Sequence, residues 1–443
     1  MARQVRFRVM DGVAIVSLDS PPVNALSAEM RAALWHVFQR IEAQPEIRAT
    51  VLRAEGALFS AGADIRELGA SHWAEPTPRQ LCDLIENCSK PVVACLEGQA
   101  LGGGAELLLA AHYRISEAAG RLGLPEVSLG VLPGAGGTQR LPRLVGAELA
   151  LQLMVSGQSI SAPDALRMGL LDGITEGDAT SGAVAFTRKL LAEEKGPRPT
   201  RARRDRMADA KAYQAHIAKA RRDLARSPLF APHLIVDCVE AAALLPFEAG
   251  QAFEQDAFDR CRGHPQSVAL RHVFLAERRV DKALLRREQG GFKPTDPDGR
   301  ALVLRLRKAL RAAAQALVDT TDLDEARIDA AMVAYGFRKG IFGGKPDPAE
   351  SVSILRRLIA VLISEGAALL AEGHVARPSD IDALAVHGLG FPRRMGGPCR
   401  AAQTMGLIGL RSDMRGWAEE NLIWDPPEML DEAIKQAAGF DAL

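Results

Sequence analysis

The chain has no surplus of charge: 55 Lys and Arg face 55 Asp and Glu among its 443 residues. A chain so balanced has no polyelectrolyte character, so nothing in its overall charge asks for nucleic acid as a partner. No apolar run approaches the roughly 18 residues of a membrane span. The start Met-Ala-Arg-Gln-Val-Arg-Phe-Arg lacks the apolar core of a secretory signal, so a cytoplasmic location is expected. The cysteines (Cys82, Cys88, Cys95, Cys238, Cys261, Cys399) form no Cys-x-x-Cys pair, and the histidines form no HExxH or similar ligand spacing. Reduced packing thiols and no metal are the expectation.

What is present reads first as α/β. Short β-rich runs at Val13–Leu18, Ala49–Arg53 and Pro91–Leu96 alternate with helical stretches such as Ser27–Glu42, where Ser27 and Glu29 suit a helix start. At 443 residues there is room for two or three domains.

Two glutamates stand out in apolar, glycine-rich surroundings. Glu106 lies in Leu101-Gly-Gly-Gly-Ala-Glu106-Leu-Leu-Leu, and Glu126 in Leu122-Gly-Leu-Pro-Glu126-Val-Ser-Leu-Gly. Burial disfavours a charged carboxylate, and two close together disfavour double ionisation. Such a pair titrates apart, giving one acid and one base near neutral pH. The glycines before Glu106 sit between a strand (Pro91–Leu96) and an apolar helix opening at Ala105. The NH groups at a helix start lack intrahelical partners and carry the positive end of the dipole, so a developing oxyanion can approach them closely where no side chain intervenes. The alternative is that Gly102, Gly103 and Gly104 merely let helix and strand pack tightly. A second glycine element, Ala57-Leu-Phe-Ser-Ala-Gly-Ala63-Asp64-Ile65, follows the strand at Ala49–Arg53 and offers a further NH.

With Pro21-Pro-Val-Asn24-Ala-Leu, these elements resemble the crotonase (enoyl-CoA hydratase/isomerase) family, and more closely the hydratase part of multifunctional β-oxidation enzymes. The resemblance covers residues 1 to about 190 and rests on four motifs in the family's order and spacing. It implies a crotonase-type α/β spiral of ββα repeats. It also implies an oxyanion hole from the NH groups of Ala63 and Gly103, and Glu106 and Glu126 as the catalytic carboxylates for adding water to a trans-2-enoyl-CoA. Ala61, Asp64, Ile65, Gly102, Pro125 and Gly134 follow as substrate-lining positions. Hydration needs a base for water and an acid for carbon, whereas isomerisation runs on one carboxylate. Retention of both favours a hydratase, with enoyl-CoA isomerase or a non-catalytic acyl-CoA-binding scaffold as alternatives.

Between Arg188 and Arg226 thirteen Lys and Arg meet five Asp and Glu. The commonest reading of such a run is a solvated helix or linker; a patch for nucleic acid or anionic membrane, or for CoA phosphates, is another. The segment Leu244–Arg278 then resembles the helical link of the multifunctional enzymes, with Phe274 an expected apolar contact over the acyl-CoA site. Here the pattern breaks. No strand, Gly-x-Gly-x-x-Gly and helix follow Arg279, so no NAD-binding domain is expected. The final third resembles the C-terminal helical domain of the same enzymes, with a helix start at Asp347–Glu350, a stop at Gly373, and His387 read as structural. The expected organisation is a hydratase domain over 1–190, an all-α linker over 191–290 and an all-α domain over 291–443. That arrangement would act without dehydrogenase activity, leaving room for a separate 3-hydroxyacyl-CoA dehydrogenase as partner.

Overall fold

The computed structural model describes residues 4–69, 73–288, 290–342 and 351–443, so the helix-start signal at 347–350 lies outside the described residues. Two compact units emerge, Met1–His264 and Pro265–Leu443.

The first unit is built on a six-stranded sheet. Strands β1 (Val5–Met10) and β2 (Val13–Leu18) form a hairpin. From β2 onward the pairing is parallel, through β3 (Ala49–Ala54), β4 (Val92–Leu96), β6 (Tyr113–Glu117) and β9 (Gly173–Thr175). Every residue of β2 and β4 is buried, as expected of parallel strands covered on both faces. One face, carrying Val13, Ile15, Val51 and Val93, packs on Ala183, Val184 and Leu190 of the helix Ala179–Ala192. The other, carrying Ala14, Val16, Leu52 and Ala94, packs on helix α1 (Ala28–Ala43), helix α2 (Pro78–Glu86) and helix α3 (Gly103–Ala110). Alternation along the strand thus sorts side chains between two cores. The α1 start is the expected one, with Ser27 Oγ accepting from Met30 N.

A small second sheet of β5 (Gln99–Leu101), β7 (Arg121–Gly123) and β8 (Ser159–Ser161) flanks α3, and the long helix α4 (Gly137–Ser156) runs behind it. Beyond residue 190 the same core continues. Tyr213 and Ile217 of Ala210–Leu224, Ile235, Cys238 and Val239 of Ala231–Leu244, and Ala257, Phe258 and Cys261 of Phe247–Gly263 all join it. The division between units therefore falls inside the segment read as one linker over 191–290, because these helices bury their apolar stripes in the α/β core.

Part of the basic run is paired with acids from elsewhere in this unit. Arg198 pairs with Asp172 at 2.6 Å, Arg201 with Glu86 at 3.0 Å, and Arg221 with Asp237 at 2.8 Å and Glu240 at 2.6 Å.

Among its described residues the second unit is helical apart from a two-stranded hairpin, Leu285–Glu288 with Gly291–Pro294. Its core gathers Leu306, Ile359, Leu362, Leu410 and a fully buried Trp424, whose Nε1 donates to Arg357 O at 3.2 Å. His387 has a structural contact: its Nε2 lies 2.7 Å from Glu277 Oε1. Although burial raises its pKa, Glu277 is pulled down to about 2 by hydrogen bonds from His387 and Arg393 and by their charges. Among the described residues no helix is long and apolar enough to cross a membrane, and no group of His, Cys, Asp and Glu is placed to hold a metal ion.

Candidate active site

The site forms where glycine turns bring three separate segments together. Gly102, just before α3, has φ +53° and ψ −127°. A side chain is excluded there by conformation, and also by space, since a Cβ would lie 3.0 Å from Glu126 Oε1. Gly62, at φ +96°, lies so close to the same turn that a Cβ would meet Leu101 O at 2.8 Å and Gly103 N at 3.2 Å. The two turns adjoin, since a Cβ on Gly103 would lie 3.3 Å from Ala63 N. Among the described residues neither the Ala63 NH nor the Gly103 NH donates a hydrogen bond.

Glu106, on the first turn of α3, is 3% exposed. Its Oε1 accepts from Ala135 N at 2.7 Å and Gly137 N at 2.8 Å. Burial pushes its pKa up, while those two NH groups and the Arg140 charge pull it back. Glu126 sits on the short 3₁₀ turn Pro125–Leu129, and its Oε2 is buried without a hydrogen-bond partner. Burial first and the Glu106 charge second hold its carboxyl well above the ordinary carboxylate range. The environments therefore differ in kind: Glu106 is gripped by donors that favour a carboxylate, and Glu126 is left in surroundings that favour the acid.

Both glutamates line one cavity of about 130 Å³. Ala61, Ala63, Ile65, Gly102, Gly103, Pro125 and Gly134 line it too, with apolar walls from Leu68, Trp73, Leu129, Val131 and Leu132. Asp64 does not. Its carboxylate is turned to Arg66 two residues on, accepting from Arg66 N and Nε at 3.0 Å each, and this local capture takes it away from the cavity. Phe274 belongs to the second unit, where Arg278 packs over its ring, and so is not part of the unit that holds the cavity.

Sequence reasoning missed the part of the wall supplied by the helix Phe247–Gly263. Gln255 and Phe258 line the cavity, and Glu254 lies fully buried beside it. Glu254 Oε1 accepts from Gly136 N at 2.7 Å, and Oε2 accepts from Thr138 N at 2.9 Å and from the Thr138 hydroxyl. Burial and the Glu106 charge push its pKa up to about 8. The signal was available: Glu254 falls on the inward stripe Phe247, Gln251, Glu254, Phe258, Cys261, where a carboxylate is out of place.

Residues 8–225 match the family model described as enoyl-CoA hydratase/isomerase. The chain carries a crotonase-family domain. The peroxisomal bifunctional enzyme of Danio rerio is 40% identical over 281 residues, covering 62% of this chain and 38% of its own length. The human peroxisomal bifunctional enzyme is 36% identical with the same coverage. A Bacillus subtilis protein named "Probable enoyl-CoA hydratase" is 42% identical over 165 residues, 36% of this chain and 64% of its own. The chain thus spans less than half the length of the bifunctional relatives. Their names place those proteins in peroxisomes, which lends no support to a cytoplasmic location for this chain.

Proposed function

We propose that this crotonase-family chain hydrates trans-2-enoyl-CoA thioesters to 3-hydroxyacyl-CoA, without NAD. The observation that carries the reading is one cavity lined by Glu106, Glu126 and the two undonated NH groups of Ala63 and Gly103. The thioester oxygen sits between those NH groups, which stabilise the negative charge that develops as water attacks. Each donor of such a hole is typically worth about 3 kcal/mol of barrier. Glu106, whose Oε1 accepts two backbone NH groups, takes the proton from water as the water oxygen attacks C3. Glu126, whose environment keeps the proton on, delivers it to C2. The enolate-like charge collapses, leaving one C–O and one C–H bond formed and the conjugated double bond consumed. The apolar walls exclude other water and strengthen each of these interactions.

The test is the absorbance of the conjugated enoyl thioester on mixing with the purified chain, with and without NAD. Hydration bleaches it equally in both. A 3-enoyl substrate that gains absorbance while the 2-enoyl one is untouched shows an isomerase instead, no change with either shows a scaffold, and NADH formation shows a dehydrogenase.

A further inference from the structure

We propose that Glu254 is a positioning residue for this reaction, gripping one face of the 134–138 turn so that the NH groups on its other face hold Glu106 in place. The inference rests on the hydratase reading and extends the site to a helix beyond residues 8–225, the segment that matches the family model.

The geometry is an alternation. Along the turn, the NH groups of Ala135 and Gly137 go to Glu106, and those of Gly136 and Thr138 go to Glu254. One short stretch of backbone is therefore clamped between two carboxylates, and any shift of one clamp re-aims the donors of the other. Little slack remains. A Cβ on Gly137 would lie 2.8 Å from Glu106 Oε1, one on Gly136 would lie 2.0 Å from Arg140 Nη1, and one on Gly134 would lie 2.6 Å from the Phe258 ring. Arg140 Nη1 also holds Ala135 O at 2.9 Å, so the turn has a third anchor.

An ordinary structural anchor does not need a carboxylate. Glu254 is fully buried with only uncharged donors as hydrogen-bond partners, an unusual place for an acidic side chain. Its neighbours on the same helix, Gln255 and Phe258, form cavity wall. The helix thus carries wall and clamp together, which couples the shape of the acyl site to the aim of the base.

The test uses the full chain with Glu254→Ala, Glu254→Gln, Glu106→Gln and the double variant Glu106→Gln/Glu254→Ala, measuring kcat and KM for a trans-2-enoyl-CoA and thermal unfolding. Glu254→Ala is expected to lower kcat at least tenfold with KM within threefold. Glu254→Gln, which fills the space and keeps an oxygen for Gly136 but turns its NH₂ toward Thr138 N, is expected to fall between parent and alanine variant. In the Glu106→Gln background the alanine change is expected to cost less than threefold more, because a residue acting through Glu106 has nothing left to position. Equal losses in both backgrounds, or a folded Glu254→Ala with kcat within threefold of the parent, overturn the inference. Where the alanine variant does not fold, Glu254→Gln decides on the same threefold line. A parent that does not hydrate removes the hydratase reading and this inference with it; an active parent separates the two.

Discussion

Replacing Glu106 by Gln removes the base and little else. Both backbone donors reach a single oxygen, Oε1, at 2.7 and 2.8 Å, so the amide oxygen of Gln keeps them and the new NH₂ takes the position of Oε2. The side chain retains its place while its capacity to take a proton from water disappears. A positioned general base contributes roughly 10²–10⁴-fold, which at about 1.4 kcal/mol per tenfold is about 3–5.5 kcal/mol of barrier. Glu106→Gln is therefore expected to lower kcat by about 10²–10⁴-fold with KM within about threefold, since the oxyanion donors and walls are untouched. The fold is not at risk. The folded pKa of Glu106 is raised, so its contribution to stability is lost as pH rises through that pKa, and the neutral variant avoids the penalty. Its unfolding temperature at mildly alkaline pH is expected to equal or exceed the parent's. Initial rates of enoyl absorbance loss decide the matter: a kcat within tenfold of the parent, or a loss appearing only in KM, refutes the assignment of Glu106 as base.

Three further outcomes follow from particular residues. Gly102→Ala places a Cβ at positive φ, at a cost of roughly 1–2 kcal/mol, and brings it to 3.0 Å from Glu126 Oε1; kcat is expected to fall with stability, and kinetics equal to the parent's contradict the close approach. Glu254 is pushed up to about 8 from 4.5, so the folded state holds its proton more tightly and stability drains as pH rises between those values. The stability of Glu254→Gln relative to parent is expected to improve across that window in denaturant titrations, and a flat difference contradicts the shift. In the second unit Trp424 is fully buried with its indole NH satisfied, and Trp424→Ala is expected to destabilise by about 3–5 kcal/mol; a loss under about 1 kcal/mol in denaturant melts shows the core is not packed as described.

Much of the site was legible because its signals are local. The fully buried β2 and β4, the glycines before Glu106 and the proline-led turn carrying Glu126 each declare themselves within a few residues of sequence, and the structure brings Gly102, Gly103, Glu106, Pro125 and Glu126 to one cavity. Asp64 misled because its neighbour Arg66 captures it, an interaction no spacing rule distinguishes from a ligand-facing carboxylate. Glu254 was passed over because helix Phe247–Gly263 was read as a linker, and its inward stripe gains meaning only once the 134–138 turn is seen against it. The boundary at 264 was hidden for the same reason: only tertiary packing shows that Cys238 and Phe258 share a core with β4. The basic run around Arg201 read as surplus charge because its partners, Glu86 and Asp172 among them, lie far away in sequence.

The most direct measurement is mass spectrometry of the product formed from a trans-2-enoyl-CoA in ¹⁸O-labelled water. The expected product is a 3-hydroxyacyl-CoA carrying one solvent oxygen at C3, formed without NAD and lost when either Glu106 or Glu126 is changed to Gln. A product with a moved double bond and no solvent oxygen, or labelled product formed undiminished by both variants, contradicts the hydratase reading.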